Sequence, residues 1–348
     1  MRKFLKTMLI STALSAVIGS SAYANLAPLN SDTEQDRVNW TELDAKFGAF
    51  PAIQDGVKIG GVSKTLTNEY WRSLGDGYKS FAAKYNVFVA YQAAANEGDQ
   101  LGQLSIAETM ITEGYSALLF SPQTDVNLQP AAEVAQSKNI PVVNVNDAVM
   151  PTATHYVGNV QKDNGVRVAQ WFIDNRPEGG KVAVVEGPPG VFAAKQRTEG
   201  FTETINKSGK FNVVASVPAN WSREQAYNVA TTILQRNPDL IGFYVNNDGM
   251  ALGVVEAVKA LNLQKQVAVF GTDGISDAYK SILAGELTGT VDSFPVLTGE
   301  VAMEVVLRLT AGQQISRVVT TPQALITQDN AKTYFNANPE ELRKVLAK

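Results

Sequence analysis

Cysteine is absent from all 348 residues of the sequence, which excludes disulfide bonds, thiolate nucleophiles and thiolate-bound zinc. Histidine occurs once, as His155, which leaves few routes to a metal site or an acid–base site that depends on histidine. Basic runs are missing beyond the first six residues, and the formal net charge is −4. A nucleic-acid partner, which needs a basic surface, is therefore not expected, and neither is a metal or another cofactor.

Apolar segments of the roughly 20 residues needed to cross a bilayer are also lacking. Residues 1–6 carry three positive charges, residues 7–19 are small or apolar, and residues 22–24 read Ala-Tyr-Ala. A basic start, a short apolar stretch and a small-x-small motif are typical of a secretory signal peptide. We therefore predict that residues 1–24 are cleaved on export and that the remaining chain acts in the periplasm as a monomer.

The length of the chain predicts two domains, because one domain commonly holds roughly 100–200 residues. Residues 25–56 are polar and irregular, with room for one short helix over residues 39–47, and we interpret them as an N-terminal extension outside the core. From Val57 onward, short apolar runs alternate with longer segments of helical periodicity. The predicted strands are residues 57–62, 86–91, 117–120, 141–145, 181–186, 211–217, 240–245, 266–270 and 289–293. The predicted helices are residues 68–85, 98–113, 125–138, 164–175, 192–208, 222–235, 249–261, 276–284 and 295–309.

Strands that alternate with helices of this length predict parallel sheets that are covered by helices on both faces. The number of such units exceeds what one ordinary open sheet holds, so two lobes are the more economical arrangement. The predicted fold class is therefore α/β, with two doubly wound parallel-sheet lobes. In such sheets a ligand binds outside the carboxyl ends of the strands.

Polar and aromatic side chains are concentrated directly after the predicted strands. They are Lys64, Asn68, Tyr70, Trp71, Asn146, Asp147, Trp221, Asn247 and Asp273. Lys64 could contact a ligand or pair with Asp147. Asp125 and Asp248 stand where helices are predicted to begin, so we interpret both as helix N-caps. We expect a structural role for His155.

Six of the segments that follow strands occur in the order found in one family of transport proteins. They are residues 65–71, 143–147, 187–201, 219–221, 246–253 and 271–274. Residues 246–253 read Asn-Asn-Asp-Gly-Met-Ala-Leu-Gly, which is similar to the family's Asn-Asp-x-Met-Ala-Leu-Gly signature. From about residue 57 to residue 329, the chain resembles the periplasmic sugar-binding proteins of ABC transporters, of the ribose/galactose-binding type.

This resemblance implies the type I periplasmic binding protein fold, in which a three-strand hinge joins two lobes. It assigns residues 57–160 and 294–324 to the N-terminal lobe, and residues 161–293 and 325–348 to the C-terminal lobe. It also adds Arg197 and Ser293 to the candidate ligand-binding residues. The sequence departs from the family where Asn146-Asp147 replaces an Asp-Arg pair and where Ser293 replaces a common Gln. The resemblance therefore supports the scaffold and leaves the choice of sugar open.

The candidate residues suit a sugar, which has apolar C–H faces and a rim of hydroxyl groups. Tyr70 or Trp71 from one lobe and Trp221 from the other could cover the two faces. Donors and acceptors for the rim would come from charged and amide side chains, namely Asn68, Asn146, Asp147, Arg197, Asn247 and Asp273.

We therefore hypothesise an exported solute-binding protein that captures a monosaccharide or sugar alcohol between its lobes by hinge closure and delivers it to a membrane ABC permease. Such a function requires no covalent chemistry. One alternative is an exported enzyme that acts on a sugar, with Asp147 and Asp273 as acid and base. Another is the sensor subunit of a chemotaxis or signalling system on the same scaffold. Turnover of a bound sugar would identify the enzyme, and genomic neighbours would identify the sensor.

Overall fold

A computed structural model describes residues 26–347, so the predicted signal peptide lies outside the described residues. The strands of this part of the chain are β1 (Arg37–Asn39), β2 (Lys58–Ser63), β3 (Phe88–Ala93), β4 (Ala117–Phe120), β5 (Val142–Val145), β6 (His155–Gly158), β7 (Gly180–Glu186), β8 (Phe211–Pro218), β9 (Leu240–Val245), β10 (Ala268–Asp273), β11 (Gly289–Asp292), β12 (Val318–Thr320) and β13 (Ala324–Thr327). The helices are α1 (Leu43–Phe47), α2 (Glu69–Lys84), α3 (Gln100–Thr112), α4 (Gln129–Ser137), α5 (Gln161–Asn175), α6 (Phe192–Lys207), α7 (Arg223–Arg236), α8 (Asp248–Ala260), α9 (Ser276–Leu283), α10 (Pro295–Thr310), α11 (Ala331–Phe335) and α12 (Pro339–Leu346). A short 3-10 helix at Trp40–Glu42 precedes α1.

The strands of residues 26–347 form two sheets with helices packed against them. The first sheet has the order β1-β12-β6-β5-β4-β2-β3, and the second has the order β13-β11-β10-β9-β7-β8. Neighbouring strands run parallel except β11 and β13, which pair antiparallel. The predicted fold class, α/β with two doubly wound parallel-sheet lobes, is confirmed.

Strand β4 shows why an uninterrupted apolar run forms a strand in this fold. Leu118 and Phe120 pack in one apolar cluster, whereas Ala117 and Leu119 pack in a second cluster. Side chains along a strand point alternately to the two faces of a sheet, and helices cover both faces here. Each residue of β4 is therefore buried, and an alternating polar pattern would leave polar groups in the core.

Helix α2 is held at a fixed height against the first sheet, which positions the residues at its N-terminus. Its N-cap is Asn68, whose side-chain oxygen accepts a hydrogen bond from the Tyr70 N–H at 3.0 Å. Farther along, Gly77 approaches α10 so closely that a Cβ atom there would lie 2.1 Å from the Val296 carbonyl oxygen. The close helix crossing therefore requires glycine at this position and keeps Asn68 at the carboxyl edge of the sheet.

The chain passes between the two sheets three times within residues 26–347. Strand β6 of the first sheet leads into α5, strand β11 of the second sheet leads into α10, and strand β12 of the first sheet leads into β13 of the second. These crossings are short and comprise residues 159–160, 293–294 and 321–323. Short parallel connections of this kind allow two lobes to rotate about a hinge.

The prediction that residues 25–56 lie outside the core is wrong for the part around β1. This strand pairs in parallel with β12 at the edge of the first sheet. Val38, Trp40 and Leu43 are buried in the apolar cluster of that lobe. A three-residue strand has too little periodicity to be recognised, and its partner strand begins only at Val318.

Helix α12 also differs from the lobe assignment, which gives residues 325–348 to the C-terminal lobe. Leu342 and Leu346 pack against the apolar cluster of the first lobe, and Arg343 donates to Glu300 of α10 at 3.1 Å. The other lobe boundaries stay a prediction. Within residues 26–347, every helix is too short or too polar to span a bilayer.

Candidate functional site

A small cavity lies between the lobes, at the carboxyl ends of the strands of both sheets. Its lining residues from the first lobe are Asn68, Tyr70, Trp71, Glu97 and Asp147. Its lining residues from the second lobe are Arg197, Trp221, Asn247 and Asp273. Eight of these nine residues are candidates from the sequence, and the ninth is Glu97.

Glu97 organises the wall that the first lobe contributes. Its Oε1 atom accepts a hydrogen bond from the Asn68 side-chain amide at 3.1 Å and another from the Trp71 indole N–H at 3.2 Å. Burial raises the pKa of Glu97, although the nearby Lys64 ammonium opposes the shift. The carboxylate therefore fixes both the amide of Asn68 and the orientation of the Trp71 ring.

Glu97 was not recognised from the sequence, although it follows the same rule as the other candidates. This carboxyl-end rule states that ligands bind outside the carboxyl ends of the strands. It lies in the loop that follows β3, four residues after the strand ends at Ala93. A single glutamate in a polar loop is usually exposed, so residue type alone gave no reason to select it. The carboxyl-end rule would have found it if every loop after a strand had been weighed equally.

Lys64 and Asp147 form an ion pair in the first lobe, with 2.6 Å between Nζ and Oδ1. The Lys64 side chain is fully buried, and its ammonium lies 5.5 Å from the Trp71 ring centre and 5.8 Å from the Trp221 ring centre. Both rings lie within the range of a cation–π interaction. Of the two roles that the sequence left open for Lys64, pairing with Asp147 is therefore observed.

Arg197 is the buried cation that the second lobe places at the site, as Lys64 is for the first lobe. Its Nε atom donates to Gln161 Oε1 at 3.0 Å, and its Nη1 atom donates to the Asn246 carbonyl at 2.7 Å. The same Nη1 atom lies 3.8 Å from Oδ1 of Asp273. Burial raises the pKa of Asp273 well above its usual value, although Arg197 opposes this shift. Hydrogen bonds to Gln161 and Asn246, which lie outside the cavity, therefore orient the guanidinium toward it.

Trp221 is held in an unusual backbone conformation. Its φ angle is +62°, and that of the preceding Asn220 is +53°, both in the left-handed region. Its ring lies so close to Gly187 that a Cβ atom there would be 2.2 Å from the ring. Left-handed non-glycine residues are costly and cluster at binding sites, and Asn146 and Asp273 also have positive φ angles.

Two candidate residues lie behind the cavity wall. The Asn146 amide donates to the Tyr70 hydroxyl, and its Oδ1 accepts from Gln161 Nε2 at 3.1 Å. Ser293 is buried at a lobe crossing, where its hydroxyl accepts a hydrogen bond from Asn159 at 3.2 Å. Because neither residue lines the cavity, ligand contact by Asn146 and Ser293 stays a prediction.

Two predicted helix caps are wrong. The N-cap of α8 is Asn247, whose Oδ1 accepts from the Met250 N–H at 2.9 Å. Asp248 instead accepts from the Gly274 N–H at 2.8 Å, and burial raises its pKa to about 6. Asp125 does not cap α4, which begins at Gln129; its side chain accepts hydrogen bonds from the Val149 N–H and from the Phe192 N–H at the start of α6. In both cases the carboxylate accepts from N–H groups outside the helix that it was predicted to cap.

His155 lies in β6, outside the cavity. It is buried, and burial lowers the pKa of its imidazole to about 4. The ring is therefore uncharged at neutral pH. Within residues 26–347, no group of three or more histidine or acidic side chains is arranged to bind a metal ion.

The cavity chemistry combines apolar faces with hydrogen-bonding groups that are already fixed. Trp71 and Trp221 approach from opposite lobes, and Lys64 lies between them. The Asp147 carboxylate faces Lys64, and the Asp273 carboxyl group lies 3.8 Å from Arg197, so both keep oxygen atoms that can accept further hydrogen bonds. Such a site can bind a compact ligand with several hydroxyl groups and apolar surfaces between them.

Comparison with known proteins agrees with this architecture. Residues 59–314 match the periplasmic binding protein domain family. The chain is 36% identical over 268 residues to the D-allose-binding periplasmic protein of Escherichia coli (strain K12), covering 74% of this chain and 85% of that protein. It is 31% identical over 271 residues to the ribose import binding protein of Bacillus subtilis (strain 168), covering 78% of this chain and 87% of that protein.

A solved structure is similar over most of this chain. It is the crystal structure of an ABC transporter periplasmic solute-binding protein from Actinobacillus succinogenes with bound D-allose. The TM-score is 0.76 at 30% sequence identity, and the match covers 80% of this chain and all of that one. The two-sheet architecture, the matched domain and these relatives together show that the chain belongs to the periplasmic binding protein family.

Proposed function

We propose that this protein is an exported solute-binding protein that captures a monosaccharide or sugar alcohol in the cleft and delivers it to an ABC permease. The observation that carries the proposal is the cavity between the lobes, where Trp71 and Trp221 face a ring of charged and amide side chains. Aromatic rings cover the apolar faces of a sugar at low entropic cost. Charge-assisted hydrogen bonds select the positions of its hydroxyl groups.

The size and charge of the cavity restrict the ligand further. The cavity is small, which favours a compact ligand. Lys64 is paired with Asp147, and Arg197 already donates hydrogen bonds to Gln161 and to the Asn246 carbonyl, so neither cation depends on an anionic ligand for its partners. A small neutral ligand rich in hydroxyl groups therefore fits best, in keeping with the D-allose and ribose named for the relatives.

Binding by both lobes gives the protein its mechanism. A ligand held by residues of both lobes stabilises the closed arrangement more than the open one, so it shifts the population toward closure. Closure brings the two lobe surfaces into one defined arrangement that a permease can recognise. Export through the signal peptide at residues 1–24 would place the protein in the periplasm as a monomer. No step of this cycle requires a chemical change in the sugar.

A thermal-shift screen of the mature chain against monosaccharides and sugar alcohols tests the proposal. A ligand that binds only the folded state adds about 2.7 kcal/mol at 100 times its dissociation constant. This amount raises the melting temperature of a chain of this size by a few degrees. We expect a stereoselective shift in the parent chain and none in Trp221→Ala or Asp273→Ala.

A matched control separates lost binding from lost stability. Trp171 packs against Phe270 in the second lobe, away from the cavity, so Trp171→Ala should lower the melting temperature and keep the ligand-induced shift. Recovery of the sugar unchanged after incubation would distinguish binding from turnover. No shift with any sugar or sugar alcohol would contradict the proposed ligand class.

A further inference from the structure

Three helices of eight or more residues in the second lobe begin without a capping side chain of their own. Helices α5, α6 and α9 have Val160, Val191 and Ile275 at their N-caps, none of which can accept a hydrogen bond through its side chain. Their neighbours α7 and α8 carry their own caps, Ser222 and Asn247. The first N–H groups of an uncapped helix need acceptors from elsewhere.

In all three cases a carboxylate of the first lobe, or of the segment packed on it, accepts from the first N–H groups of the helix. At α9, Asp248 of the second lobe also accepts from the N–H of the N-cap residue Ile275, at 3.1 Å. Asp32 accepts from the Gln161 and Lys162 N–H groups of α5 at 3.0 and 2.8 Å. Asp125 accepts from the Phe192 N–H of α6 at 3.0 Å, and from Val149 of its own lobe at 3.1 Å. A carboxylate at a helix N-terminus is favoured both by hydrogen bonding and by the helix dipole.

Glu69 makes the third contact, with two hydrogen bonds. Its Oε1 accepts from the Ser276 N–H at 3.0 Å, and its Oε2 accepts from the Ser276 hydroxyl at 2.9 Å. Glu69 is the first residue of α2, directly between the cavity residues Asn68 and Tyr70. The contact therefore bridges the cleft beside the ligand cavity, although Glu69 does not line that cavity.

The three contacts differ in their distance from the hinge. Gln161 and Lys162 follow directly on the crossing at residues 159–160, so a rotation of the lobes moves them little relative to Asp32. Glu69 and Asp125 bind helices that are reached only across the cleft. Opening the cleft would separate these two carboxylates from Ser276 and Phe192 and return both helix ends to water.

We propose that Glu69 and Asp125 are closure latches, defined as first-lobe carboxylates that cap second-lobe helices only when the cleft is shut. This inference rests on the proposed function, because the latches stabilise the form that holds the ligand. They set the balance between open and closed forms and slow the release of the ligand without touching it. Their effect falls on the dissociation rate, since the contacts form only after the lobes meet.

The test compares Glu69→Ala, Asp125→Ala and the double variant with Asp99→Ala, because alanine removes the acceptor whereas asparagine or glutamine would retain one. Asp99 caps α3 within the first lobe, where its Oδ1 accepts from the Gly102 N–H at 2.9 Å, so it is a matched cap that does not cross the cleft. The sequence has no cysteine, so Leu101→Cys and Lys280→Cys can carry a pair of spin labels, one on each lobe. Both side chains are largely exposed, at 81% for Leu101 and 65% for Lys280.

Two readouts are needed: the distribution of label distances without ligand, and the dissociation rates of D-allose and D-ribose. Each latch variant should shift the distances toward the open form and raise the dissociation rate about 5-fold, as expected for the loss of one helix cap. The double variant should show the larger change, whereas Asp99→Ala should lower only the melting temperature. Unchanged distances and rates in both latch variants would overturn the proposal. If neither sugar binds the parent chain, the proposed ligand class fails for these two sugars, and the label distances still decide whether the latches exist.

Discussion

Lys64 Nζ lies 2.6 Å from Asp147 Oδ1, and the lysine side chain is completely shielded from solvent. The two residues follow different strands of the first sheet, β2 and β5. Two tryptophan rings, one from each lobe, flank the ammonium group. Because Asp147 lines the cavity, the ion pair holds this carboxylate in place beside a ligand.

Removing the cation from this pair should be costly. We expect Lys64→Met to lower the free energy of unfolding by about 3–5 kcal/mol, because it leaves the Asp147 carboxylate buried without its partner. The double variant Lys64→Met with Asp147→Asn should recover most of the lost stability but should not recover ligand affinity. Chemical denaturation and a binding titration of each variant measure the two effects.

The exposed pair of Lys280 and Asp277 is the matched control for this experiment. Their side chains are 65% and 60% exposed, so Lys280→Met should change stability little. Equal losses in Lys64→Met and Lys280→Met would contradict the account of the buried pair.

The contact between Gly187 and Trp221 predicts an indirect effect on binding. Gly187→Ala should displace the ring and weaken ligand binding about tenfold, since the added methyl group would lie 2.2 Å from the present ring position. Tryptophan fluorescence should change in the ligand-free variant, and a titration should show the weaker affinity.

Gly249→Ala is the control for the effect of an added methyl group. At that position a Cβ atom would meet nothing closer than the Asn247 amide at 3.8 Å, so affinity should be unchanged. If Gly187→Ala bound the ligand as tightly as the parent chain, the Trp221 ring would not be part of the site.

Asp292 gives the protein a specific dependence of stability on pH. Burial raises its pKa to about 7, although hydrogen bonds from Tyr279 and Phe294 oppose the shift. A raised carboxyl pKa contributes stability that is complete below the unfolded value near 4 and is lost as the pH rises to about 7. His155 acts in the opposite direction, because its pKa is lowered to about 4 and its contribution is lost as the pH falls.

The difference between the parent chain and Asp292→Asn isolates the carboxyl group from His155. Between pH 5 and pH 8 the parent should lose on the order of 2 kcal/mol more unfolding free energy than the variant. Urea denaturation at several pH values measures this difference. Parallel pH profiles would show that Asp292 is not buried as a neutral acid.

The segment before β2 should contribute to the stability of the first lobe. Trp40 is buried in its apolar cluster, so Trp40→Ala should lower the unfolding free energy by about 3–5 kcal/mol. Phe335→Ala, at a position that is 39% exposed, should cost much less. Equal stability of Trp40→Ala and the parent chain would mean that residues 37–47 do not belong to the folded lobe.

The sequence predicted the regular part of the fold because its strands and helices carry their own periodicity. The strand at residues 117–120 and the strand at residues 240–245 have the predicted bounds. Strands β1, β6, β12 and β13 were missed, because each has only three or four residues, and β1 pairs with β12 across most of the chain. Local patterns carry no information about such pairings.

The sequence predicted which loops meet at the site, but not which of their side chains already have hydrogen-bond partners within the protein. The carboxyl-end rule brought together residues from both lobes, such as Trp71 and Asp273. It could not show that Asn146 is bound by Tyr70 and Gln161 behind the cavity wall. Hydrogen-bond partners of this kind depend on the closed packing of side chains from distant elements, and residue type alone does not reveal them.

The most direct test of the central claim is an isothermal titration of the mature chain with D-allose, D-ribose and a set of sugar alcohols. The account predicts saturable 1:1 binding of one or a few of them, with clear discrimination between stereoisomers, and its loss in Trp221→Ala. Absence of binding for the whole set, with the chain folded, would contradict the assignment of the cleft as a sugar or polyol site.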